Sequence, residues 1–259
     1  MQIDYYAYQS RMRSWNAAFK VFLAVTTLFL VIAFNCIVVS LFVMFAMGVL
    51  TLMVGKTSWR VYLRYMLAPV VFLLFSCLAI AISFAGSPVG EWNFSAHFFY
   101  LCMGQESLLA AVQAFFKVLA GISALYMMSF STPVDELILV LRKLHLPWIF
   151  LELMQLVYRY IFILFDAASQ MQTAAKARLG GCTIWQSFKT FAAIGGNLFV
   201  VALKKGNTYY DALLARGYQG RIEFLTEEKP VRFCQVAFGV LYFSVIILLY
   251  LALGCISKK

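Results

Sequence analysis

Residues 17–54 are apolar almost throughout, a run too long for one helix. A helix crosses a bilayer with about 20 residues, so this block is expected to hold two spans. Asn35, near its middle, is expected to make the tight turn between them. Three further apolar runs follow: 65–84, with Pro69 at a place a membrane helix tolerates, then 108–130 and 233–256. Composition agrees. Of 259 residues 63% are hydrophobic and 12% charged, against about 25% charged in a soluble domain, so too little polar surface is available to face water all round. The fold class expected is all-α: a polytopic membrane protein with about five spans. The first sixteen residues are polar and aromatic and precede a double apolar stretch, unlike a cleavable signal, so the N-terminus reads as retained.

The formal charge of +10 invites a nucleic-acid reading, but the placement of the charges opposes it. Arg11, Arg13 and Lys20 precede the first span or open it, Lys56, Arg60 and Arg64 follow the second, and twelve more Lys and Arg lie between Arg142 and Arg232. Eighteen of the 21 therefore fall on one side of the expected topology, and residues 86–106 carry none. That asymmetry marks the basic side as cytoplasmic. The 86–106 segment, with Trp92, Phe94, Phe98 and Phe99, suits an external loop at headgroup level. Five spans from a cytoplasmic start leave Lys258 and Lys259 outside, against the charge rule; a missed re-entrant helix would account for them. The six cysteines include no CxxC pair and sit mostly in apolar runs, so they read as small hydrophobes and no disulfide framework is expected.

Residues 131–232 differ in character and divide the chain into membrane helices (1–130), a cytoplasmic segment (131–232) and a last membrane helix (233–259). Thr132-Pro133-Val134-Asp135-Glu136 is a helix start, with a capping Thr, Pro at the first position and acids in the first turn. Val134, Leu137, Ile138, Leu141 and Leu144 share a face, giving a short amphipathic helix that ends before Pro147. Two long helices are expected next, over 148–179 and from just after Thr183 to 216, each roughly 48 Å at ~1.5 Å per residue. Their Lys, Arg, Gln, Asn and Thr content makes them read as too polar to cross lipid.

Both long helices end alike: Ala177-Arg178-Leu179 before Gly180, and Ala215-Arg216-Gly217 before Tyr218. A basic residue in a last turn commonly just offsets the helix dipole, by about 0.3–1 kcal/mol. Two matched copies on two matched helices point further. Consecutive helices with a short connection run antiparallel, so the two arginines sit at opposite ends of the pair, too far apart for one small ligand but suited to two copies of one partner. A planar guanidinium pairs bidentately with carboxylate.

On these residues the chain resembles the transmembrane T component of energy-coupling-factor (ECF) transporters, the EcfT/CbiQ family. There, two Ala-Arg-X motifs end two crossed coupling helices, and each tip docks into a groove of one of two ABC-type ATPases. Ala177-Arg178-Leu179 and Ala215-Arg216-Gly217 match those motifs; Leu179 departs from Gly217 at a position the family varies. Ser131-Thr132-Pro133 with the helix up to Pro147 resembles the family's first coupling helix, and Tyr158-Arg159-Tyr160-Ile161 its RYI segment. The N-terminal run from Ile3 through Tyr8, Arg11 and Arg13 to Asn16 looks like the cobalt-type branch. The resemblance implies a non-catalytic scaffold for cobalt uptake feeding cobalamin synthesis. ATP and Mg would lie on two partner ATPases, and cobalt on a substrate-binding membrane subunit (the S component), with room for a small accessory membrane subunit. It implies no cofactor or metal held by this chain and no nucleic-acid partner. Nickel or a vitamin is the alternative cargo; a polytopic membrane enzyme with its acids in 131–232 is the alternative class.

Other signals carry less. Gly55-Lys56-Thr57 imitates the end of a P-loop, but Leu50 stands where its first glycine belongs. His97 with Cys102 falls short of the three or four converging ligands of a tight metal site, and His145 is the only other histidine. Lys117 lies inside the fourth span, where a charge is costly, and reads as structural in preference to an ion pathway. Glu152 and Asp166 share a helix face and are expected to be solvated or paired with Arg159.

Overall fold

In the computed structural model the described residues are 2–81, 83–85, 92–96, 99–103, 105–144, 146–220 and 229–256. His97, His145, Lys258 and Lys259 lie outside them. Helix α1 (Gln2–Gln9) and a tight turn (Arg11–Ser14) lead into α2 (Ala17–Phe34) and α3 (Ile37–Val49), which a wider turn extends through Leu50–Val54. Then come α4 (Trp59–Ala81), α5 (Gln105–Ser131), α6 (Val134–Lys143), α7 (Trp148–Ala177), α8 (Ile184–Ala215) and α9 (Phe233–Ile256). Asn35 makes the α2–α3 turn in left-handed backbone, φ 43° and ψ 40°, a conformation asparagine tolerates better than most residues. Helix α4 starts six residues before the expected span, so Pro69 falls in its interior and Arg60 and Arg64 lie on its first turns.

Three short strands add a small element to the all-α frame: β1 (Ser83–Ala85) at the end of the expected third span, and β2 (Trp92–Ala96) and β3 (Phe99–Met103) where an external loop was expected. They pair antiparallel in the order β1-β3-β2, with Ser83 opposite Cys102 and Trp92 opposite Met103. The ladder satisfies backbone groups that a bare loop leaves open.

Among the described residues six helices are long and apolar enough to cross a membrane: α2, α3 with its extension, α4, α5, α7 and α9. The chain is a multi-pass membrane protein. The sixth candidate corrects the expectation that both long helices are too polar. In α7 the polar residues crowd into the last third, from Asp166 to Lys176, while 148–165 carries only Glu152 and Arg159 as charges. Averaging over the whole helix hid an apolar half.

The chain divides into two compact units, Met1–Val140 with Glu228–Lys259, and Leu141–Glu227. Most of α6 belongs to the first unit. That unit's core joins α2, α3, α5 and α9 through Ala24, Val31, Val43, Met47, Ala120, Ala124, Met127 and Ile246, all at most 2% exposed. Ala120 and Ala124 put no bulk between helices, so backbones approach closely. Tyr62 is hydrogen-bonded to Ser123 at 2.8 Å, and Ser123 donates to the Met44 carbonyl at 3.2 Å. Serine has one proton to give, so Tyr62 donates to Ser123. This chain of bonds ties α4, α5 and α3 together. Outward faces of α4 and α9 expose Phe72, Phe75, Leu241 and Leu248, as a lipid-facing surface requires.

The same unit holds a charged cluster that no local motif marks. Lys20, its side chain wholly buried on the first turn of α2, donates to the Ser131 carbonyl at 2.7 Å and to Glu136 Oε2 at 3.3 Å. Glu136 Oε1 takes a second ammonium, that of Lys229, which also donates to the Arg13 carbonyl. The acids expected to favour the start of α6 are thus cross-links: Asp135 accepts from Tyr8 Oη at 2.6 Å, and Glu136 binds two lysines. Lys117 donates to Asn35 Oδ1 at 3.2 Å, tying α5 to the α2–α3 turn.

Candidate functional site

In the second unit, α7 and α8 form an antiparallel hairpin, and contacts mark its register from one end to the other. At the elbow, Thr190 Oγ1 donates to the Gly180 carbonyl at 2.7 Å. Midway, Tyr160 Oη donates to the Lys205 carbonyl at 3.1 Å, and the Arg159 guanidinium lies 5.5 Å from the Tyr209 ring centroid. At the far end, Tyr218 Oη donates to Glu152 Oε1 at 2.8 Å. Arg159 therefore stacks on an aromatic ring, Glu152 is held by a tyrosine, and Asp166 is exposed and accepts from Gln170 Nε2 at 3.1 Å. Asp166 is thus solvated, as expected, whereas Glu152 is buried against Tyr218 and is neither solvated nor paired with Arg159.

The two helix ends are built alike. Arg178 caps α7 with φ −96° and ψ 20°; Arg216 caps α8 with φ −92° and ψ 7°. The next residue turns left-handed in both, Leu179 at φ 59° and Gly217 at φ 80°. The amide two positions past the cap then bonds back five residues, Gly180 to the Ala175 carbonyl at 2.9 Å and Tyr218 to the Leu213 carbonyl at 3.0 Å. Leu179 N–H bonds to the Lys176 carbonyl and Gly217 N–H to the Leu214 carbonyl. This is the Schellman closure, which satisfies orphan carbonyls at a helix end. Its outcome is the same twice over: Ala177, Arg178, Leu179, Ala215, Arg216 and Gly217 are all exposed.

Each closure is pinned to the opposite helix through the residue two past the cap. At α7 that residue is Gly180, whose carbonyl Thr190 holds; at α8 it is Tyr218, which reaches Glu152. A Cβ on Gly180 would lie 2.9 Å from the Ala175 carbonyl oxygen and 3.0 Å from Thr190 Oγ1, so glycine is needed for that approach. Glu152, a residue only 8% exposed, keeps the Tyr218 proton in place through its carboxylate and raises the phenol above its ordinary pKa. Thr190, Glu152 and Tyr218 thus join the site as positioning residues. No motif marks them, because the Tyr218–Glu152 bond spans 66 residues of sequence. With the hairpin antiparallel and α8 32 residues long, the two arginines stand at opposite ends of a rod of about 48 Å.

Beside the Arg178 end lies a hollow of about 450 Å³, walled by Gln172, Ala175, Ile184, Phe188, Phe191 and Ile194. Among the described residues no group of three or more His, Cys, Asp or Glu is placed to hold a metal ion.

Residues 9–228, most of the chain and both arginine-capped helix ends, match the model of a protein family described as cobalt transport protein, CbiQ. The chain belongs to the CbiQ family. The relatives of this CbiQ-family chain include a longer, fused protein. It is 27% identical over 230 residues to an uncharacterized protein of Methanocaldococcus jannaschii, covering 88% of this chain and 85% of that one. The same identity over 230 residues holds for a putative fused cobalt transport protein CbiMQ of Methanocorpusculum labreanum, where 88% of this chain covers 38% of the longer relative. The cobalt transport protein CbiQ of Salmonella typhimurium is 27% identical over 163 residues, 62% of this chain and 72% of its own length.

Proposed function

We propose that this chain is the transmembrane scaffold and coupling subunit of an ECF-type importer for cobalt ion. Two ABC-type ATPases bind its two arginine-capped helix ends, and ATP hydrolysis takes place on them. The substrate-binding membrane subunit holds the cobalt and is carried by the membrane helices; the chain itself is non-catalytic. Residues 141–227 lie on the cytoplasmic side of the cell membrane in this reading.

One observation carries it: the duplicated Schellman closure with an exposed arginine as each cap, pinned at both ends of one antiparallel hairpin. A pair of equal and distant tips suits two copies of one protein. The exposed alanines leave the backbone of each tip open to a groove, and each guanidinium supplies a planar fork for a carboxylate. The relative described as a putative fused cobalt transport protein CbiMQ supports the reading of this chain as one part of a larger cobalt transporter.

The test is the Arg178→Ala/Arg216→Ala double variant, expressed with its ATPases and scored by co-purification and by cobalt uptake. Truncating one partner of a buried charge pair costs about 2–5 kcal/mol, so both readouts are expected to collapse. Retention of ATPases with normal uptake would refute the assignment.

A further inference from the structure

The second unit is an insertion: the chain leaves the first unit after Val140 and returns at Glu228. Four residues before the departure stands Glu136, and one residue past the return stands Lys229, and these two form an ion pair. The same carboxylate binds Lys20, wholly buried in α2, which in turn holds the Ser131 carbonyl at the end of α5. The Lys229 ammonium also donates to the Arg13 carbonyl, and Asn16 Nδ2 donates to the Lys229 carbonyl at 2.5 Å. Five segments of the first unit are thus joined where the inserted unit begins and finishes.

We propose that Lys20, Glu136 and Lys229 form a neck clamp, a set of positioning residues that converts movement of residues 141–227 into movement of α2 and α9. The inference rests on the coupling role proposed above and specifies where force passes. The reason is mechanical. An insertion is attached by two covalent strands; left separate, either strand bends alone and dissipates a displacement. Bridged by one carboxylate, they move as a unit. That carboxylate is anchored to a buried ammonium, which resists displacement because an ammonium stripped of its partner in a dry site is strongly disfavoured. Lys20 therefore makes α2 follow Glu136, and Lys229 carries the same motion to the segment leading into α9.

Substituting Glu136 would strand Lys20 and risk misfolding, so the informative changes are made at the rim. Lys229→Met removes the cross-neck ion pair and leaves Lys20–Glu136 intact. Adding Asn16→Ser removes the bond to the Lys229 carbonyl while keeping a capping oxygen for the Phe19 amide. With the full transporter in vesicles, the pair of changes is expected to leave ATPases bound and hydrolysing, and to lower cobalt uptake per ATP by roughly tenfold. Lys229→Arg is expected to restore the ratio. Unchanged uptake per ATP in the double variant overturns the proposal. Hydrogen exchange on the purified chain decides the clamp even if no ATPase joins the parent protein, an outcome that would overturn the coupling role. The double variant is expected to speed exchange in 134–140 and 229–235 and leave α3 and α4 unaffected; exchange unchanged at the neck rejects the clamp.

Discussion

Leu179 and Gly217 share one backbone conformation, left-handed at φ 59° and φ 80°, although only one of them is glycine. A Cβ in that region costs roughly 1–2 kcal/mol. The α7 end accepts the strain to carry a leucine, 69% exposed, next to Arg178. Leu179→Gly is therefore expected to leave stability within about 0.5 kcal/mol, since relief of strain and the greater freedom of unfolded glycine oppose each other. Leu179→Val, β-branched in the same backbone, should cost about 1–2 kcal/mol. Thermal unfolding in detergent measures both. If valine is tolerated as well as glycine, the left-handed closure is absent in solution.

Helix α7 is long and apolar enough to cross a membrane, and the coupling role requires that its far end, with the elbow, stay in the cytoplasm. Cys182 in that elbow is an exposed free thiol. Membrane-impermeant maleimide should label it in inverted vesicles and not in intact cells. Labelling from outside would place the elbow across the bilayer and end the coupling assignment.

The tie between Tyr218 and Glu152 predicts a pH response with a definite sign. The folded-state pKa of Tyr218 is raised, chiefly by its hydrogen bond to Glu152. Its contribution is therefore fully present below the unfolded tyrosine value of about 10 and is lost as pH rises through the folded one. The difference in tyrosinate absorbance between the parent and Tyr218→Phe should titrate above the ordinary tyrosine range. Titration at or below that range contradicts the bond.

Lys117 is partly buried within α5 and meets a neutral partner, Asn35, where an anion would have neutralised it. A charge at such a level is costly. Lys117→Met should therefore hold or raise the unfolding temperature of the isolated chain. A marked fall would show that the Asn35 contact outweighs the cost of burying the ammonium.

Much of the frame could be read from sequence because it is local. Apolar runs gave α2, α3, α5 and α9 closely, Asn35 marked its turn, and glycine after each Ala-Arg pair marked where α7 and α8 stop. What escaped is either averaged or distant. The apolar half of α7 disappeared into a whole-helix composition. Lys20 stands in sequence beside a span, yet its ammonium is sealed by Ser131 and Glu136, more than a hundred residues away. Glu152 looked like a solvated acid because its tyrosine lies beyond α8. Periodicity reports which face of a helix is apolar; it carries no information on which polar group meets which across the fold.

Because residues 141–227 begin and finish beside the same carboxylate, they can be lengthened, trimmed or traded for another cassette without rethreading the remaining helices. Such a layout lets the inserted unit and the remaining helices be altered separately, each keeping its own shape.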